Sequence, residues 1–142
     1  MTKKNSVAFA GSSIRHVMAG LTVVACAAIF IFAPAASASP LGKGKFRGAT
    51  GHVTSGSVSV REQAGRYVIE LASNFSLDGA PDPYVALGKG SGLVSGGLIA
   101  VLKSNTGKQR YAVKITPALQ GATEVIIWCK KFSVPIGVAP IR

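Results

Sequence analysis

Arg110-Tyr111-Ala112-Val113-Lys114-Ile115 alternates, with Tyr111, Val113 and Ile115 on one side and Arg110, Ala112 and Lys114 on the other. Successive side chains of a strand point to opposite faces, so a period of two describes a β-strand with one apolar and one wet face. The same grammar recurs on either side of it. Val58 and Val60 alternate with Ser57, Ser59 and Arg61, while Tyr67, Ile69, Leu71 and Phe75 share a face opposite Glu70 and Asn74. Gln63-Ala64-Gly65 is the turn between those two runs. Tyr84 to Leu87, Leu98 to Lys103, Thr123 to Phe132 and a short segment around Val138 complete the set. Val125-Ile126-Ile127-Trp128 is apolar on both faces, which predicts a central strand under a second sheet. Gly88 to Gly97 spells neither a dinucleotide fingerprint nor a P-loop and reads as a flexible hairpin loop. After residue 38 no stretch keeps the 3.6-residue apolar period of a helix. The predicted fold is all-β: a β-sandwich or partly open barrel of about seven to eight mostly antiparallel strands.

Residues 1–38 read as an address. Lys3, Lys4, Arg15 and His16 precede an uncharged apolar run from Val17 to Ala33, and Ala35-Ala36-Ser37-Ala38 then leads into Ser39-Pro40. That order is a signal peptide's, with cleavage after Ala38 and a secreted, periplasmic or cell-surface product. The alternative is an anchor retained over residues 17–38, since Val17 to Ser39 is just long enough to cross ~30 Å of hydrocarbon at ~1.5 Å per residue. A lipoprotein-like box ending at Cys26 is disfavoured, because Ala27 to Phe32 stay hydrophobic where a tether turns polar. Residues 39–44 follow as a short linker and 45–142 as one domain, with Lys43, Lys45 and Arg47 as a solvated basic arm.

Composition narrows the class further. Hydrophobic residues make up 48% and charged residues 15%, which excludes disorder as a description of the whole chain. Of 16 Lys and Arg, three precede Ala38, leaving 13 against five acids, a net charge of +8. Such a field attracts an anionic envelope polymer or a membrane surface without defining a site, and no nucleic-acid partner is expected.

Few residues can carry chemistry. After cleavage Cys129 is alone, so no internal disulfide forms, and its thiol is either inert, paired with another molecule or chemically used. Strand alternation would put Lys131 on the same face at ~7 Å, where one cation favours a thiolate by about 2.4 kcal/mol at an effective dielectric of about 20. Trp128 and Lys130 would lie opposite. Exposure then decides between a reactive thiol and a small hydrophobe. His52 is the one histidine after Ala38 and the other candidate ligand, but no nucleophile elbow surrounds it. Asp78 and Asp82, in Leu77-Asp78-Gly79-Ala80-Pro81-Asp82-Pro83, are turn formers first, and two carboxylates fall short of the six or so oxygens that calcium takes. No metal site is assigned.

Four blocks together resemble a known family. They are Phe46-Arg47-Gly48 with His52 and Ser55-Gly56, then Phe75 with Asp78-Gly79-Ala80-Pro81-Asp82-Pro83-Tyr84-Val85. Leu102-Lys103-Ser104 through Gly107, Gln109 and Tyr111 follows, and Val125-Ile126-Ile127-Trp128-Cys129-Lys130-Lys131-Phe132-Ser133-Val134 closes the series. Over about Lys45 to Ile141 the chain resembles the DM-thirteen domain, the electron-transfer domain of Skeletor-like proteins that often accompanies DOMON domains. The resemblance implies a mostly β extracytoplasmic domain whose cysteine takes part in redox chemistry, as a bare thiol or by holding a prosthetic group such as haem. That role maps onto Cys129, with Trp128 packing it, Lys131 favouring its thiolate and His52 as a second ligand. Asp78, Asp82 and Tyr84 would support the site.

The resulting expectation is a small exported electron-transfer module that is not itself an enzyme and meets an external redox partner. The alternative is a non-catalytic envelope-binding module for sugars or anionic polymers, using the basic surface and loop aromatics such as Tyr84 and Tyr111.

Overall fold

The computed structural model describes residues 39–142, and the expected signal segment lies outside them. Strand β4 (Ser57–Gln63) turns into β5 (Arg66–Leu71) through Ala64 and Gly65, whose φ angles of 49° and 69° are both positive. A two-residue turn of that kind matches the right-handed twist of the flanking strands. β9 (Gln109–Lys114) pairs with β5, and β1 (Ser39–Lys45) pairs with β4, giving an antiparallel sheet in the order β1-β4-β5-β9. Val58, Val60, Tyr67, Ile69, Leu71 and Tyr111 fill its inner face.

The second sheet runs β2 (Arg47–Gly48), β11 (Val134–Pro140), β10 (Glu124–Cys129), β7 (Pro83–Lys89), β8 (Gly92–Val101). All of its pairings are antiparallel. β10 lies at the centre, as its doubly apolar pattern predicts, with Val125, Ile126 and Ile127 fully buried. A small ribbon of β3 (Thr54–Ser55) and β6 (Ser76–Leu77) closes one end. There Phe46 and Phe75 meet edge to face with ring centroids 5.4 Å apart. A single 3₁₀ turn, Leu119–Gly121, links β9 to β10. The result is a β-sandwich; among the described residues no helix is long and apolar enough to cross a membrane.

Eight of the eleven strands have six residues or more, which matches the expected seven or eight; the other three are two-residue pieces too short to show a period. Two expectations change. Residues 39–44 are not a linker: they belong to β1, whose Lys43 and Lys45 pair with Ser59 and Ser57. Gly88 to Gly97 is not a loop either. The chain turns at Gly90 and Ser91, and the rest belongs to β7 and β8. Its glycines answer to packing, since a Cβ on Gly88 would strike the Gly92 carbonyl and the Ile126 side chain, and one on Gly97 the Leu87 carbonyl.

Candidate functional site around Cys129 and the Asp78–Pro83 loop

Cys129 is the last residue of β10 and pairs with Pro83 on β7 and Val134 on β11. The inward side of the strand carries Val125, Ile127 and Cys129, so the sulfur belongs to the core, at 1% exposure, and by the exposure criterion the thiol in this structure is a small hydrophobe and not an open nucleophile. The Asp78–Pro83 loop runs from the small ribbon to the first residue of β7, the cross-strand neighbour of Cys129. It is tied down at both ends. The Lys130 N–H donates to the Asp82 carbonyl at 2.9 Å and the Leu102 N–H to the Pro83 carbonyl at 2.8 Å. At the other end Asp78 accepts from the Val53 N–H at 2.9 Å and lies 3.0 Å from His52 Nδ1, while its own N–H donates to the Val53 carbonyl at 3.0 Å. The Val53 N–H, and after it the His52 ring, hold the Asp78 carboxyl below its ordinary range. Between these anchors Ala80 packs on the core.

Several expectations about the site are corrected here. Lys131 does not share a face with the thiol: β10 ends at Cys129, and residues 130–133 form a turn in which Ser133 has φ of 54°. Alternation stops with the ladder, and the exposed Lys131 ammonium lies 5.5 Å from the Phe132 ring centroid instead. Trp128 does not pack Cys129, because it points to the outer face of the sheet, half-buried beside its cross-strand partner Tyr84. The Tyr84 ring is met by the Lys130 ammonium at 5.2 Å. His52 is half-buried and engaged by Asp78, and no hydrogen bond among the described residues links it to Cys129. Asp82 contributes through its backbone. Tyr111 is no loop aromatic. It is 4% exposed on the inner face of β9, its hydroxyl donating to Gln109 Oε1 at 2.6 Å and accepting from the Lys103 N–H at 2.9 Å.

A haem does not fit these residues. The sulfur is enclosed by core side chains, and neither of two surface clefts, of about 780 and about 300 Å³, is lined by Cys129, His52 or Trp128. Among the described residues no three His, Cys, Asp or Glu side chains are grouped to hold a metal ion.

The Trp-Cys strand, the Asp78–Pro83 loop that joins β7 beside its end, and the Phe75 that anchors the ribbon below belong to one arrangement. The model of a family described as Electron transfer DM13 matches residues 45–141. The chain belongs to the electron transfer DM13 family. No curated protein and no solved structure matches it. The DM13 match spans every strand from β2 to β11 and leaves out most of β1. The sequence did not disclose the anchoring role of Asp78, because its partners His52 and the Val53 N–H lie 26 and 25 residues away in the chain. Nor did it disclose the buried Gln109, whose amide donates to the Ser104 carbonyl at 2.7 Å and holds the chain that carries Tyr111.

Proposed function

We propose that this DM13 domain is an exported electron-transfer module whose redox-active atom is the Cys129 sulfur, reached when the Asp78–Pro83 loop lifts. The observation that carries the reading is the position of Cys129. It holds the only sulfur among the described residues, and it lies at a strand end, cross-strand from Pro83 where the Asp78–Pro83 loop joins β7, rather than mid-strand. The chemistry is thiol–disulfide exchange with an external partner. The Cys129 sulfur attacks a partner disulfide, an S–S bond forms as the partner's breaks, and the departing partner sulfur leaves as thiolate. A thiolate of a reducing dithiol then attacks the Cys129 sulfur and expels the partner's second thiolate, and that molecule's other thiolate closes its own disulfide and frees the Cys129 thiolate, so two electrons pass from dithiol to partner without a bound cofactor. Export rests on the leader-like residues 1–38 and on the scarcity of other thiols, which suits an oxidising compartment.

The test is the rate at which an aromatic disulfide labels the folded protein, against denaturant and in Asp78→Asn. The expected result is one thiol per chain, reacting faster than global unfolding allows and faster still in the variant. A labelling rate equal to the unfolding rate at every denaturant concentration would overturn the proposal and leave Cys129 as core.

A further inference from the structure

The larger cleft, of about 780 Å³, plays no part in that chemistry. It runs from the outer face of the four-stranded sheet to its β1 edge, and its lining includes Lys43, Lys45, Arg47, Lys108 and Arg142 with one acidic side chain, Glu70. We propose that this cleft binds a linear phosphate-bearing polymer laid along β1.

Three observations point there. The first is uncompensated charge. Glu70 is taken up by Arg61, whose guanidinium donates to both of its oxygens at 2.6 and 3.0 Å, and none of the five cations forms an ion pair among the described residues. The second is spacing. Lys43 and Lys45 occupy alternate positions of β1, so these two cations recur ~7 Å apart on one face, and Arg47, the first residue of β2 beyond the buried Phe46, lines the same cleft. A polymer with a regularly repeating anion engages the whole row, whereas a single phosphate meets one or two members. The third is fixed geometry. The Lys43 N–H donates to the Arg142 carbonyl at 2.9 Å and the Arg142 N–H to the Lys43 carbonyl at 3.2 Å, so β1 is held on both sides. Glycine makes that approach feasible, since a Cβ on Gly42 would lie 2.7 Å from the Arg142 nitrogen. The backbone that carries these cations is therefore ordered before any ligand arrives, and binding does not have to order it. The concave shape favours a chain over a bilayer, whose plane touches the rim and not the floor.

The experiment is fluorescence anisotropy of labelled inorganic polyphosphate with the purified protein, alongside orthophosphate competition and co-sedimentation with phosphatidylglycerol vesicles. Lys43→Glu/Lys45→Glu is compared with Arg66→Glu/Lys89→Glu, which changes net charge equally outside the cleft. At about fivefold per cation, removing two from the row weakens polyphosphate binding at least about 25-fold, and the control pair changes it less than about threefold. The salt slope of log K falls by about 1.4 in the cleft variant. Equal losses in both pairs reduce the effect to long-range field and overturn the proposal. So do orthophosphate binding as tight as the polymer's, retention on vesicles without polyphosphate binding, and no binding to any of the three probes.

Discussion

Cys129→Ser exchanges one chalcogen for another and tests the environment of the sulfur directly. At 1% exposure among Val85, Ile127 and the rest of the inward core, a serine hydroxyl at this position exchanges water for apolar neighbours. An uncompensated hydroxyl in such a setting costs about 1–3 kcal/mol, and the smaller oxygen leaves part of the sulfur's volume unfilled. For a domain of this size each kcal/mol moves the melting temperature by roughly 4–8 °C, so the variant should melt roughly 4–24 °C below the parent. Cys129→Ala, which adds no polar atom and removes about one methylene's worth of apolar contact, should lose only about 1 kcal/mol. Thermal unfolding followed by far-ultraviolet circular dichroism on the three proteins gives the comparison. A serine variant that melts within a degree or two of the parent, or above the alanine variant, would mean that water already reaches the sulfur in the ground state, and the loop would not be the barrier argued here.

Tyr111→Phe removes the acceptor of the buried Lys103 N–H and one donor to Gln109 while keeping the ring under the Lys103 ammonium at 4.9 Å, so it should lower stability by about 1–3 kcal/mol in a urea titration with unchanged m-value. The pH profile of stability should be a plateau with two falling limbs. Burial raises the Tyr111 and Tyr67 hydroxyls above their usual range, with Glu62 adding to the latter, so the folded state retains protons that the unfolded chain has lost. Stability is then full below about pH 10 and falls as pH rises through the folded values. Glu70, held down first by its Arg61 hydrogen bond, and Asp78, by the Val53 N–H and His52, act in the opposite sense. Their contribution is present above about pH 4–4.5 and is lost as pH falls. Melting curves across pH 2–11 check both limbs, and Glu70→Gln should blunt the acid one.

What the sequence disclosed depended on how long each pattern ran. Six residues of alternation at Arg110–Ile115 were enough to place Tyr111 inward and Arg110 outward, and the doubly apolar Val125–Trp128 run identified the central strand. The two-residue strands β2, β3 and β6 carry no period to read, and their pairing follows from contacts distant in the chain, such as the Thr54 hydroxyl donating to the Ile136 carbonyl at 2.7 Å. The glycines of Gly88–Gly97 misled because a residue without a side chain serves a loop and a crowded strand equally well. The same limit produced the error at Lys131. Alternation holds only while the ladder continues, and one residue past Cys129 the chain has entered a turn with a left-handed residue.

The placement of charge separates two roles that composition alone merges. Three of the five acids are spent inside the fold: Glu70 on Arg61, Asp78 on His52 and the Val53 N–H, and Glu124 on the Ser91 N–H at 2.7 Å. Asp78 and Glu124 join segments 25 or more residues apart, and Glu70 ties the two strands of the β4–β5 hairpin. Among the cations, Arg61, Lys103 and Arg110 are similarly engaged, the last donating to Gln63 at 3.1 Å, whereas the row along β1 faces outward without an acidic partner. Removing one of these three acids therefore loosens the structure, and removing a cation from the β1 row alters what the surface can hold while leaving the core intact. The net charge of +8 over residues 39–142 is the residue of that division: three of the five carboxylates stabilise the fold, and the positive charge they do not neutralise is left at the surface.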